Sequence, residues 1–204
     1  MDRDIYILTT KSGTFPSRLI HLMTAASYTH VSIGLDGLWG EFYSFGRKYT
    51  RLMLPAGLIK ESVTCGSAMT VRYQLYRLSV SENAYRRIQA RLGEMYSHRE
   101  RYHYSILGTL SVLFNYPLKR RSHYFCSQFV AEMLEECGAL EFDKNVALVR
   151  PMDFCDIENL SLVSEGAIST LGSGQALPAP SDVVAILPFG RAIIRAYRFC
   201  QRVR

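Results

Sequence analysis

Cys126, Val130, Met133 and Cys137 recur at i, i+4, i+7 and i+11, a spacing that lays one apolar stripe along an α-helix. Gly138 follows the last of them, where a left-handed residue ends a helix cheaply. The chain must therefore fold around at least one amphipathic helix with a cysteine in its first turn. At that position the open backbone N–H groups and the positive end of the dipole favour a thiolate. A free cysteine is also an ordinary small core residue, so the position alone does not separate chemistry from packing.

The strand-like run Thr29-His30-Val31-Ser32-Ile33-Gly34 supplies an imidazole upstream. Alone, a strand histidine is most simply satisfied by a nearby carbonyl. Together, a thiol at a helix start and an imidazole on a strand are two parts of a nucleophilic site, whose third part is a group that orients the ring. His30–Leu35 and Glu41–Gly46 flank Asp36-Gly37-Leu38-Trp39-Gly40 and predict an antiparallel hairpin. If Val31 pairs with Tyr43 and Ile33 with Glu41, Ser44 faces His30. A one-residue shift would change that choice. Glu41, the stronger acceptor for an imidazolium, is the competing candidate. Donors for an oxyanion begin with the Cys126 N–H, and Tyr28, Tyr102 and Tyr104 are available phenols among thirteen tyrosines.

Other segments predict an α+β domain. Asp4–Thr9 reads as a strand, Phe15–Ala26 as a helix, and residues 47–68, with Pro55, Gly57 and Gly66 and no period, as a long loop roofing a cleft. Thr70–Val80 alternates as a strand, and Ser81 caps a helix with Ala84, Ile88, Leu92 and Met95 on one face. Tyr102–Phe114 reads as a buried helix ended by Pro117, because its nine-residue apolar core is too short for the ~20 residues of a membrane span. Lys119-Arg120-Arg121 reads as a solvated turn, Pro151 as a short helix start, and Leu160–Val163 as a final strand. The 48% hydrophobic content suffices for a sizeable core.

Five scattered cysteines without a C-x-x-C pair, and no histidine at zinc-ligand spacing, suggest neither a disulfide framework nor a metal site. No cofactor is expected. Met1-Asp2-Arg3-Asp4 opens without the pattern of a secretory signal, so the expected location is cytoplasmic.

The order of strand, helix, THVSIGL hairpin, long middle and helix-opening FCSQFVAEML resembles the permuted papain-like cysteine hydrolases of the YiiX type. These are bacterial relatives of the NlpC cell-wall peptidases and of the lecithin retinol acyltransferases. The resemblance spans roughly residues 4–165 and includes DIYILTTKSG, EFYSFGR and the closing RPMDF and LVSEG. It implies an NlpC-like fold, a small antiparallel sheet packed by helices, with Cys126 as nucleophile and His30 as general base and acid. An orienter is implied on the strand after the histidine, where Ser44 stands in place of the usual stronger acceptor and Glu41 is the alternative. The implied reaction is thiol-mediated hydrolysis or acyl transfer at an amide or ester, and the implied partner is a peptide, amide or lipid acyl substrate.

The domain expected over 1–168 is followed by a Gly/Pro/Ser-rich linker, 169–182, and a basic helix, 183–204. Over residues 171–204 five arginines stand against Asp182, and Arg191, Arg195, Arg198 and Arg202 share one helical face. That face suits an anionic membrane at the inner face of the cell, or simply solvent on a docked terminal helix. No extended basic and aromatic surface points to nucleic acid. Two other readings stay open: a catalytically silent module that binds peptide or lipid, and a membrane adaptor acting through the tail.

Overall fold

The computed structural model describes residues 2–11, 27–38, 40–47, 56–64 and 70–172. The helix expected over 15–26 and the basic helix over 183–204 lie outside them, as does residue 173 onward of the linker. Strands β1 (Asp2–Thr10), β2 (His30–Gly34), β3 (Glu41–Arg47), β4 (Ala56–Thr64) and β5 (Thr70–Ser81) precede helix α1 (Glu82–Ser97). Then come β6 (His103–Tyr104), α2 (Ile106–Leu113), β7 (His123–Tyr124), α3 (Cys126–Glu136) and β8 (Ser161–Gly172). The architecture is mixed α+β, with a strongly curled eight-stranded sheet and few helices.

The curl closes. β1 pairs with β2 and β5, β2 with β3, β3 with β4, and β8 with both β4 and β5, all antiparallel. Six strands thus form a continuous hydrogen-bonded ring, which removes the free edges that an open sheet would expose. β6 leaves this ring at Gly57, opposite His103, and pairs in parallel with β7.

Closure explains why the strand patterns are blurred. In β1, Ile5 and Ile7 join the large core under the helices, whereas Leu8 joins Phe42, Tyr73 and Leu75 in a second cluster on the other face. Both faces are buried, so apolar residues no longer alternate with polar ones. Residues 56–64 are a barrel strand rather than the expected loop. Leu58 faces the large core at 1% exposure, and the glycine and proline signals hide the strand. β8 likewise extends past the expected Val163 to Gly172, so residues 169–172 of the expected linker continue a strand.

Helix α1 follows its sequence signals: Ser81 Oγ accepts from the Ala84 N–H at 3.2 Å, and Ala84, Ile88, Leu92 and Met95 are buried. Helix α3 packs across β2 and β3, with every residue from Cys126 to Leu134 buried. Gly138 closes it with φ +71°, the left-handed conformation expected after its stripe. Helix α2 departs from expectation in two ways. It starts at Ile106, four residues late, with Ser105 Oγ accepting from the Gly108 N–H at 3.1 Å. It is also not fully buried, since Ile106, Leu107 and Phe114 are 40%, 56% and 47% exposed.

Candidate active site

His30 opens β2 and is fixed by the ladder, with Thr10 of β1 as its partner and the Thr29 N–H bonded to the Thr10 carbonyl at 3.0 Å. The hairpin register differs from expectation by two residues: Ile33 pairs with Tyr43 and Gly34 with Phe42. Continued along the strands, this register sets Gly46 opposite His30 and moves Ser44 opposite Ser32. A Cβ on Gly46 would lie 4.0 Å from His30 Cε1 and 2.9 Å from Ile59 Cδ1, so the glycine leaves the ring its space.

Neither expected orienter reaches the imidazole. Ser44, fully buried, donates its hydroxyl to the Val31 carbonyl at 2.6 Å. Glu41 sits on the opposite sheet face, two residues from Tyr43, and its Oε2 accepts from Lys60 Nζ at 2.6 Å. The acceptor is Glu61 of β4, whose Oε1 stands 2.8 Å from His30 Nε2, with both side chains only 15% exposed. Register accounts for it. Glu61 pairs with Phe42 and Ile59 with Ser44, which puts Glu61 on the face that His30 shares by strand alternation. Reading 47–68 as a loop hid this carboxylate. The available signal was a lone acid within a β-branched run, Leu58-Ile59-Lys60-Glu61-Ser62-Val63.

Cys126 reaches the same imidazole. Its thiol lies close enough to the His30 ring to raise the ring's pKa, and with Nε2 engaged by Glu61 the nitrogen left for sulfur is Nδ1. Burial opposes a charge on His30, but the Glu61 carboxylate and the Cys126 thiol outweigh it and hold its pKa well above the usual histidine value. The sequence motifs at positions 30 and 126 are therefore brought together, and Glu61 completes a line of sulfur, imidazole and carboxylate.

The start of α3 leaves donors beside the sulfur. The residue before it, Phe125, has no side chain that can cap the helix, so the first backbone N–H groups are not consumed locally. Ser127 does not substitute, because its hydroxyl donates to the Val149 carbonyl at 2.7 Å. Of the three tyrosines considered above, Tyr104 lies nearest in electrostatic terms. Burial, then the neighbouring Cys126, push its pKa up, which keeps the phenol protonated. Its oxygen lies 3.2 Å from Thr109 Oγ1, whose hydroxyl also reaches the Ser105 carbonyl at 3.0 Å. Tyr28 lines the same pocket, whereas Tyr102 packs on Tyr124 with ring centroids 6.3 Å apart.

That pocket holds about 310 Å³. Val112, Leu113, Phe125, Val149, Pro151 and Met152 give it an apolar wall, and Cys126 with Tyr104 lie in the lining. An apolar group beside the Cys126 sulfur is what such a cavity accommodates. Cys137 and Cys155 have no such setting; burial raises the pKa of both thiols. Among the described residues no group of three or more His, Cys, Asp and Glu side chains could hold a metal ion. A scan against protein-family models and searches of curated sequences and of solved structures returned no match to this chain.

Proposed function

We propose that this chain is a thiol hydrolase or acyltransferase of permuted papain-like architecture, acting on an amide or ester through Cys126, His30 and Glu61. The observation that carries the reading is the line from the Cys126 thiol through the His30 ring to Glu61 Oε1, 2.8 Å from Nε2. Two segments far apart in sequence supply the reacting pair, and a third holds the ring, which is the arrangement of a nucleophile with an oriented base.

In the proposed cycle the Cys126 sulfur attacks the carbonyl carbon while His30 Nδ1 holds the thiol proton. The carbonyl π pair moves onto oxygen, which takes hydrogen bonds from backbone N–H groups at the start of α3 and from the Tyr104 phenol. Collapse of this intermediate expels the amine or alcohol, to which His30 delivers the proton, and leaves a thioester on Cys126. Water, or another acceptor with an exchangeable proton, then gives that proton to His30 and attacks the thioester. The second intermediate releases the acid or transferred acyl product, and the proton returns to sulfur. Glu61 fixes the ring throughout. The apolar pocket beside Cys126 favours a substrate with an apolar group next to the scissile bond.

The test is a p-nitrophenyl ester series of increasing chain length, read by nitrophenol release and by mass spectrometry of the protein. The expected result is an acyl adduct on Cys126, absent in Cys126→Ala, with turnover lowered ~10²–10⁴-fold in His30→Ala. Equal alkylation of Cys126 in wild type and His30→Ala across neutral pH, with no acyl adduct, would leave the cleft a binding module without chemistry.

A further inference from the structure

Helix α2 carries its apolar residues on the side that faces away from the core. Of the six large hydrophobic side chains exposed among the described residues, four lie between Ile106 and Tyr116, where Ile106, Leu107 and Phe114 fall within about 100° of one another at 100° per residue. The opposite flank of the same helix, Thr109 and Val112, lines the Cys126 pocket. The outward residues are not loose. Asn115 takes φ +54°, its N–H bonds the Val112 carbonyl at 3.1 Å, and the Tyr116 N–H reaches back to Ser111 O at 3.0 Å. This closed helix end holds Phe114 and the 64%-exposed Tyr116 outward on an ordered backbone.

The charge along this segment has one sign. Residues 102–131 contain no Asp or Glu, and Lys119-Arg120-Arg121 follow the patch directly. Arg120 and Arg121 are exposed, while Lys119 Nζ is 3.2 Å from the buried Glu132 carboxylate. Exposed apolar side chains bordered by arginines suit a boundary that is greasy on one side and anionic on the other. No described helix is long and apolar enough to cross a membrane, so the fit is to a bilayer surface.

We propose that the outward face of α2 and the turn after it form a docking surface for an anionic lipid bilayer, with Leu107, Phe114 and Tyr116 entering the interface and Arg120 and Arg121 meeting headgroup phosphates. Docked this way, the pocket on the other flank of α2 sits beside the bilayer. The surface is built from residues 106–121 alone and does not depend on Cys126 chemistry.

The experiment is co-sedimentation of the full chain with phosphatidylcholine vesicles with and without phosphatidylglycerol. Binding is expected only with phosphatidylglycerol, to weaken as salt rises, and to be equal in wild type and Cys126→Ala. Neutralising Arg120 and Arg121 together should lower the partition coefficient roughly 10- to 30-fold, at about fivefold per basic residue. The pair Leu107→Asp and Phe114→Asp should abolish binding. Wild-type binding by either of these variants, or its loss only when Arg191, Arg195, Arg198 and Arg202 become Gln, overturns the proposal. So does a dimer that Leu107→Asp dissociates, because a second copy then covers the face. Should the aspartate pair not fold, amide exchange on the wild type decides: slowing over 106–121 with anionic vesicles supports the docking surface, and unchanged exchange overturns it.

Discussion

Helices α2 and α3 wall the same pocket but treat polarity in opposite ways. α3 buries all of Cys126–Leu134, including Gln128 at 0% exposure and Glu132 at 5%. α2 leaves Leu107 and Phe114 about half in water. Burial in α3 is deep enough to raise the Glu132 pKa, with desolvation outweighing the Lys119 ammonium beside it. The contrast separates two tasks. α3 packs across β2 and β3, and it holds Cys126, the proposed nucleophile, in a fully buried stretch. α2 contributes one flank to the core and keeps the other for something outside the chain. Polar groups inside and apolar groups outside both run against local economy, and such departures gather where function is placed.

The comparison breaks most readily at Phe129. This ring is 1% exposed and packs on Phe45 and Tyr124, with centroids 5.1 and 6.4 Å away. Phe129→Ala should cost about 3–5 kcal/mol of folding free energy through lost burial and a cavity, measured by urea denaturation. A cost below about 1 kcal/mol would mean that α3 is not the anchor described above.

Glu61 sharpens it next. Glu61→Ala removes the carboxylate that holds His30 and should cost about 2 kcal/mol, the scale of a hydrogen bond to a charged group. Because the folded pKa of His30 is raised, folding favours its protonated form. That stabilisation is complete below the ordinary histidine value of about 6.5 and fades as pH rises through the raised one. The stability gap between wild type and Glu61→Ala should therefore be widest near the acid end of the neutral range and narrow toward alkaline pH. A gap that widened with pH would reverse the sign of the coupling and remove Glu61 as the partner of a charged ring.

Cys126 and His30, the proposed reacting pair, are legible because each sits in a run with a clear period: Cys126 in a 3.6-residue stripe, His30 in a short alternating strand. Their carboxylate partner was not. Glu61 lies in a strand whose residues from Ile59 to Glu61 are half-buried on either face, with Pro55 just before it and Gly57 near its start, so neither alternation nor composition marks it. Ser44 was misplaced for a different reason. Pairing in a hairpin depends on how the connection between the strands is wound, and residues 36–40 do not declare that from composition. A two-residue slip preserves every buried side chain while moving each facing partner, so the apolar pattern cannot distinguish the two registers. The outward face of α2 was hidden by its own hydrophobicity, since an apolar run of nine residues reads as interior whichever way it faces.

The smallest expected effect is therefore the most discriminating between the two helices. Leu107 is 56% exposed on α2, so Leu107→Asp removes little buried surface, and surface substitutions away from special features stay within about ±0.5 kcal/mol. Its urea midpoint should match wild type within that margin, while the same Leu→Asp exchange at Leu134 of α3, fully buried, should prevent stable folding. Intermediate losses of similar size at both positions would show that the exposed flank of α2 is covered in solution, and the distinction between an anchoring helix and a presenting one would fall.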